Sequence, residues 1–211
     1  MSGIIAQNTL LSSGLIKSPA GGGAWNFIKK LTASDSGNLT FLNGSSSVTF
    51  DGTYKEYIFT YNNVHPATTS EVDFEFNLTT DGSNYNVTKT STFFRAIHLE
   101  SGTTALLVYY DGTDPDTLDL AQSAAGQDLA ASLADHNDGS CNGIIHIFNP
   151  ASTTFVKHFI SRNQFMHDSS RSYDYHASGY ANTTDAVTGI QFAMSTGNIA
   201  TGDICMYGIS T

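Results

Sequence analysis

Hydrophobic and polar residues alternate most regularly between positions 71 and 78. The apolar residues at even positions from 72 to 78 are separated by Asp, Glu or Asn. Because successive side chains of a β-strand point to opposite faces of the sheet, this period of two predicts a strand with one face in the core and one in water. Glu71, Asp73 and Glu75 are therefore expected on the solvent face.

Further extended segments are separated by residue pairs that favour tight turns. Asn43-Gly44 and Asp51-Gly52 tolerate the positive φ angles of hairpin turns, as does Asp81-Gly82. The segments that flank the first two pairs, from 39 to 61, predict a β-meander. The extended segments are 25–31, 39–42, 48–50, 54–61, 72–78, 85–97, 105–110, 143–148, 155–160, 173–180, 187–194 and 203–209.

The segments 143–148 and 155–160 predict a hairpin. Asn149 and Pro150 stand at the first and second positions of the sequence between them, which suits a type I turn. Both arms are apolar on both faces apart from one lysine and two histidines. The hairpin is therefore expected in the centre of a sheet, or with one face against another subunit.

About ten short strands with turn signals between them predict an all-β fold, a jelly-roll-like β-sandwich of antiparallel strands. The spacing of Ala and Leu between 116 and 138 departs from this pattern. That segment is predicted to be either a short helix or a long loop.

The first 24 residues differ from the rest of the chain. They include Pro19 and the run Gly21 to Gly23, and triple glycine has no preferred backbone conformation. We expect residues 1–24 to form an extended arm and hinge against a neighbouring subunit, and 25–211 to form one sandwich domain. A first strand of the same sheet is the alternative. The apolar residues of this candidate assembly arm are Ile4, Ile5, Leu10, Leu11, Leu15 and Ile16.

The charge of the chain argues against several partners. Nine Lys and Arg against 19 Asp and Glu give a formal net charge of −10, which repels phosphate backbones and anionic lipid. No apolar run approaches the roughly 20 residues that span a bilayer. The start of the chain lacks a basic region before its apolar residues. We therefore expect no nucleic acid partner, no membrane insertion and no secretory signal.

Neither cysteines nor histidines show metal-ligand spacing. Cys141 and Cys205 are far apart and form no CxxC motif, so buried free thiols are expected, with a disulfide as the alternative. The seven histidines are scattered, and the oxygen-rich clusters at 111–116 and 135–138 lack EF-hand spacing. No metal and no other cofactor is expected.

Familiar catalytic motifs are missing from the sequence. There is no GxSxG elbow, Walker A loop, HExxH pair or nucleotide fingerprint. Hydrolysis of sugars needs two carboxylates on either side of a cleft, whereas Glu71, Asp73 and Glu75 share one face of one strand. We therefore expect that the chain is not an enzyme.

The most ligand-like cluster lies in and before the predicted strand 173–180. The rings of Tyr173, Tyr175 and Tyr180 can stack on sugars, and Arg171 can bond hydroxyls or carboxylates. Ordinary strand packing is the alternative.

Several stretches of the chain resemble small virion proteins of marine bacteriophages, including those that infect cyanobacteria. The resemblance extends over nearly the whole chain, and the stretches that carry it are GGGAWNFIKKLTAS, TYKEYIFTYNNVHPAT, NVTKTSTFFRA, HIFNPASTTFVKHFIS, GYANTTDAVTGIQFAMSTGNI and MYGIS. The resemblance implies a structural protein on the outer surface of the virion, made in the host cytoplasm and released by lysis. It supplies no catalytic or binding residues.

Two roles follow from this resemblance and from the residues. In the first, trimers decorate or cement the capsid, or belong to the tail or fibre, and contact the major capsid or tail proteins through the arm and apolar strand faces. In the second, the chain is a receptor-binding module at a fibre tip that holds a host surface glycan with its tyrosines.

Overall fold

The computed structural model describes residues 24–67, 71–109, 118–137 and 139–210. Within these ranges the chain forms twelve antiparallel β-strands and no helix, so the predicted all-β fold is confirmed. The strands are β1 (Trp25–Ser36), β2 (Leu39–Leu42), β3 (Glu56–Pro66), β4 (Val72–Thr79), β5 (Lys89–Leu99), β6 (Ala105–Tyr109), β7 (Gln127–Leu133), β8 (Cys141–Phe148), β9 (Lys157–His167), β10 (Arg171–Ala181), β11 (Gly189–Met194) and β12 (Ile199–Ile209).

The strands form two sheets that pack face to face. The large sheet has the order β1-β12-β3-β8-β9-β10-β5-β6, and the small sheet has the order β2-β11-β4-β7. The residue pair Leu133 and His167 joins β7 to β9 and so connects the sheets. Ala134 and Asp168 donate backbone hydrogen bonds across the same junction, at 3.2 and 3.1 Å. This junction, here called the seam, closes the sandwich part of the way towards a barrel.

Aromatic side chains fill one end of the space between the sheets. The ring of Phe59 on β3 lies 5.3 Å from that of Phe41 on β2 and 5.7 Å from that of Phe192 on β11. Phe74 on β4 stacks on Phe192 at 6.0 Å. All four side chains are fully buried. Such ring pairs add about 0.5–1.5 kcal/mol each beyond the burial of their area, so these four residues, the aromatic end, anchor the sandwich.

The predicted meander over residues 39–61 is wrong. β2 pairs with β11 in the small sheet, whereas β3 pairs with β12 and β8 in the large sheet. The connection crosses from one sheet to the other and buries Val48 and Phe50 without strand pairing. Gly44 does adopt the expected positive φ, at 77°. Strands that pair and strands that pack face to face both need one apolar face, so the alternation does not distinguish them.

The segment predicted to be a helix or a loop instead contains strand β7. Its apolar residues Leu129, Ala130 and Leu133 are buried in the core. The register between β4 and β7 shifts at two places, between Val72 and Phe74 and immediately after Phe74. Such bulges break the alternation of apolar and polar positions, which is why the sequence pattern missed this strand.

The hairpin predicted around Asn149 is confirmed, and it lies centrally. β8 and β9 pair as antiparallel neighbours, and β9 has β10 on its other side. Ser152 donates its backbone N–H to the carbonyl of Asn149 at 3.0 Å, which closes the turn.

Lys157 fastens this turn to the body of the domain. Its side chain is fully buried, and Nζ donates to the carbonyl oxygens of Ser152 at 2.7 Å, Phe155 at 3.2 Å and Thr183 at 3.1 Å. A buried ammonium is tolerated only when its protons are bonded, and here three carbonyls take them.

Both cysteines are free thiols, as expected, but only Cys141 is buried. Cys141 is buried on the inner side of β8, and burial raises the pKa of its thiol, whereas Cys205 is partly exposed. Residues 1–23 lie outside the described residues, so the arm, its hinge and its apolar contacts stay predictions. The specific jelly-roll connectivity also stays a prediction.

Candidate functional site

Strand β10 divides the four predicted ligand contacts between its two faces. Tyr173 and Tyr175 lie on the inner face and are 2% and 0% exposed. Arg171 begins the strand on the same side, next to the seam, and is half-buried. Tyr180 has the opposite parity and lies half-buried on the outer face. The structure therefore brings Arg171, Tyr173 and Tyr175 together and separates Tyr180 from them.

A cleft of about 640 Å³ opens beside the seam. Both sheets contribute to it, through β4 and β7 of the small sheet and β5, β6 and β10 of the large sheet, together with the turn between β9 and β10. This volume lies within the range of about 300–1,000 Å³ that is typical of small-molecule sites. We call it the seam cleft.

Arginine and tyrosine side chains form the floor of the seam cleft. Arg95 on β5 donates from Nη1 to the hydroxyl of Tyr175 at 3.2 Å, and its guanidinium carbon lies 5.3 Å from the ring centroid of Tyr173. The rings of Tyr173 and Tyr175 are stacked with centroids 5.5 Å apart. Arg171 donates from Nη1 to the hydroxyl of Tyr173 over a long 3.4 Å. The guanidinium groups of the two arginines thus donate hydrogen bonds to the hydroxyls of the two tyrosines.

Acidic side chains form the facing wall. Asp73 accepts the backbone N–H of Ser132 at 2.9 Å, which ties β4 to β7. Asp168 lies 2.6 Å from Nδ1 of His167 in the turn between β9 and β10. Glu71 is exposed at the start of the wall. The cleft therefore offers carboxylate acceptors on one side and guanidinium donors on the other.

The acidic face of β4 is more covered than the sequence pattern predicted. Only Glu71 is exposed, whereas Asp73 and Glu75 are partly buried because β7 lies alongside them. Gly126 packs tightly on Glu75: a methyl group added there would lie 2.1 Å from a carboxylate oxygen. The prediction of a solvent-exposed face is therefore right for Glu71 but wrong for Asp73 and Glu75, which are partly covered.

Carboxylates crowd together behind this wall. Asp128 on β7 is paired directly opposite Glu75, and burial together with the neighbouring acids raises the pKa of both groups. Lys89 is fully buried nearby, and desolvation lowers its pKa to about 8 although Glu75 opposes this shift. Its Nζ donates to Oδ1 of Asn77 at 2.6 Å and to the carbonyl of Val87 at 3.0 Å.

The outer face of the large sheet carries exposed apolar side chains at both of its edges. Phe27 is 60% exposed at the β1 edge, and Leu107 is 77% exposed at the β6 edge. Each has aromatic neighbours on its own or the adjacent strand. The β1 patch comprises Trp25, Phe27 and Tyr207, and the β6 patch comprises Phe94, Leu107 and Tyr109.

Tyr180 belongs to a separate, shallow depression of about 360 Å³ on this outer face. Its ring lies 6.1 Å from that of His158, and Phe148 and Ile160 complete the apolar lining. The predicted contribution of Tyr180 therefore concerns a different surface from that of Arg171.

The described residues contain no group of three His, Cys, Asp or Glu side chains arranged to hold a metal ion. His158 and His176 lie on the outer face, and His167 lies at the seam, so their regular spacing does not gather them. The oxygen-rich cluster at 111–116 lies outside the described residues, as does Asp138.

Sequence reasoning missed Arg95 and the pair His167 and Asp168. One signal was available for Arg95, because it lies between Phe93 and Ile97, two apolar residues of the same parity. A charged residue at such a position indicates a buried cation. No local pattern marks His167 and Asp168, because β7 reaches them only through the tertiary fold.

The fold places the chain among all-β proteins built from two antiparallel sheets. Comparison with protein-family models, with curated proteins and with solved structures gave no match. Among the described residues, no helix is long and apolar enough to cross a membrane.

Proposed function

We propose that this chain is a structural component of a bacteriophage particle, exposed on the outside of the virion, where copies of the chain assemble with one another. The two apolar patches at opposite edges of one sheet are the observation that carries the proposal. Contiguous apolar side chains that stay exposed on a folded domain are typical of interaction surfaces. The resemblance of the sequence to virion proteins supports the setting.

A second copy of the same chain is the proposed occupant of these patches. The net charge of −10 makes copies repel one another, so a contact between copies has to form where the surface is neutral or the charges are complementary. Neither patch contains a charged side chain. Lys29 follows the β1 patch along the chain, whereas Asp111 and Asp114 follow β6 in the sequence. The charge of the neighbouring Lys30 is already balanced by Asp203, 3.0 Å away. A β1 edge therefore suits a β6 edge better than it suits another β1 edge.

Contact between two different patches has a consequence for symmetry. Head-to-tail contacts close into a ring when the rotation between neighbours allows it, whereas a two-fold dimer would bury one patch and leave the other exposed. We propose a closed ring of three copies. In this proposal the ring decorates the capsid or belongs to the tail or fibre, and residues 1–24 attach it to the capsid or tail proteins. The chain is given no catalytic role.

The oligomeric state tests the ring. Wild type is expected to elute as a trimer by light scattering, whereas Leu107→Asp in the β6 patch and Phe27→Asp in the β1 patch are each expected to be monomers. In an equimolar mixture of these two variants, the intact β1 patch of Leu107→Asp can still contact the intact β6 patch of Phe27→Asp. The mixture should therefore form a dimer. Thr153→Asp, a change at an exposed position of the hairpin turn, is the control and should leave the trimer intact. A monomeric wild type, or a mixture that stays monomeric, contradicts the head-to-tail contact.

Particle incorporation tests the setting independently. A chain that lacks residues 1–24 should still form the ring but should be absent from phage particles assembled in its presence, as measured by mass spectrometry of purified particles. Unchanged incorporation of the truncated chain would remove the proposed role of the arm. Absence of the full-length chain from particles would remove the virion role itself.

A further inference from the structure

The seam cleft combines donors and acceptors in a way that the assembly proposal does not use. It lies on the inner side of β10, whereas both apolar patches lie on the outer face of the large sheet. Assembly through the patches therefore leaves the cleft without a role. We infer that the seam cleft is a binding site for a neutral saccharide.

Hydroxyl groups match both walls of the cleft. The guanidinium of Arg171 only donates hydrogen bonds, and the carboxylates of Glu71 and Asp73 only accept them when ionised. A sugar hydroxyl does both, so one ring bonds to both walls at once. A ligand with acceptors alone would leave the carboxylates unpaired, and a ligand with donors alone would leave the arginine unpaired.

Charge excludes the alternative of an acidic ligand. Arg95 and Arg171 contribute two positive charges to the lining, while Glu71, Asp73 and Asp168 contribute three negative charges. The chain as a whole carries −10. An anionic sugar would therefore meet repulsion from the wall and from the whole molecule, whereas an uncharged sugar does not.

Arg171 is positioned to meet a ligand. Its Nε is buried and has no hydrogen-bond partner among the described residues, and its bond to the hydroxyl of Tyr173 is long, at 3.4 Å. A buried donor without a partner is unfavourable, so the protein itself does not satisfy the hydrogen bonds of this guanidinium. The inference therefore gives Arg171 the main contact.

Apolar contact for the carbon face of a sugar is also present. Leu106 on β6 is 52% exposed on the wall of the cleft, and Leu118 lies half-buried beside it. Tyr173 and Tyr175 are too deeply buried to stack on a ligand, so they support Arg95 and Arg171 instead. The two tyrosines were predicted to contact the ligand, whereas here they form the floor of the cleft and hold the guanidinium groups in place.

A glycan array with neutral and acidic oligosaccharides, probed with the full-length protein, tests this inference. Neutral glycans are expected to bind, and calorimetry with the best neutral glycan should show about 10- to 100-fold weaker binding for Arg171→Ala, the loss typical of a hydrogen bond to a charged group. Arg162→Ala is the matched control, because Arg162 lies exposed on the outer face and pairs with Asp174. Its affinity should equal that of the wild type.

A second variant keeps the test decisive if Arg171→Ala does not fold. Glu71→Gln replaces an exposed carboxylate with a group of the same shape and should weaken binding of the same glycan several-fold. Binding of acidic glycans only, or of none, overturns the inference. So does binding that survives both changes but is lost in Tyr180→Ala, which would place the site in the outer depression. Light scattering on Arg171→Ala should still show the trimer, so a failure of the cleft and a failure of the ring are separate results.

Discussion

The two ends of the sandwich interior are built from different side chains. At the aromatic end, Phe41, Phe59 and Phe192 meet ring to ring, and no charged group takes part. At the seam end, the interior holds the cation Arg95 together with crowded carboxylates. Both ends bury aromatic rings, but the seam end, where Tyr175 contacts Phe93 and Phe165, also contains desolvated charge, which opposes part of the stability gained by burial. The comparison teaches that the inferred binding surface lies at the end where the interior contains desolvated charge.

The largest expected effect tests the aromatic end. Phe59→Ala removes a fully buried ring that contacts three others and leaves a cavity, so it should lower the free energy of unfolding by about 3–5 kcal/mol. Phe155→Ala, at an exposed position of the hairpin turn, should change it by less than about 0.5 kcal/mol. Urea denaturation measures both. Equal losses would show that the aromatic end is not the anchor.

A smaller loss is expected at the seam end from Tyr175→Phe. The change removes only the hydroxyl that accepts from Arg95 at 3.2 Å, and it should cost about 1–2 kcal/mol because the buried guanidinium loses that partner. Tyr180→Phe on the outer face is the control and should have no effect. If Tyr175→Phe is as stable as wild type, the polar floor contributes nothing to the fold.

Asp128→Asn is expected to stabilise the domain. Burial and the acids Asp73 and Glu75 raise the pKa of Asp128, so the folded state binds a proton more tightly than the unfolded state does. Stability from this group therefore increases as the pH falls from neutral towards its ordinary pKa and is lost as the pH rises. At pH 7 the amide should add about 1 kcal/mol, and the gain should shrink towards about pH 5.

The control for Asp128→Asn is a carboxylate whose pKa is shifted in the opposite direction. The pKa of Asp174 is lowered by its hydrogen bonds with Arg162, so its contribution is present at neutral pH and is lost in acid. Asp174→Asn should therefore be no more stable than wild type at pH 7. Thermal melts at both pH values measure the difference, and a gain for Asp174→Asn equal to that for Asp128→Asn would mean that general charge reduction, not the crowded pair, is responsible.

The smallest effect concerns a rate and leaves stability unchanged. The variant Cys205→Ser keeps only the thiol of Cys141. This thiol is buried beside the seam, because Cys141 on β8 pairs across the sheet with Phe165 on β9, two residues from His167. If the seam end opens before the rest, Cys141 should react with a thiol reagent faster than the domain unfolds globally. A reaction rate equal to the global unfolding rate would show that both ends open together.

Much of the fold follows from alternation alone. The strand over 72–78 and the hairpin around Asn149 each have a local signal, and both are present. The pairing of β2 with β11 has no such signal, because nothing within residues 39–61 says which distant strand will lie alongside. Strand β7 was missed because its bulged pairing with β4 breaks the period of two.

The candidate site was only partly predictable. Parity separates Tyr180 from Tyr173 and Tyr175 within the sequence, and it also places Arg95 on the same face as the apolar residues Phe93 and Ile97. The meeting of Arg171 with Glu71 and Asp73 depends on the seam between β7 and β9, which joins segments far apart in the chain. Sequence patterns of short range do not report such a junction.

The seam also bears on how this protein would change over generations. Arg171 is half-buried and Glu71 is exposed, and neither belongs to the cluster of buried apolar residues that forms the core. At the inferred saccharide site, substitutions of these two residues could therefore change the preferred ligand while the apolar core is retained. For the proposed virion component, this separation of ligand contacts from the core would let binding follow a changing host surface.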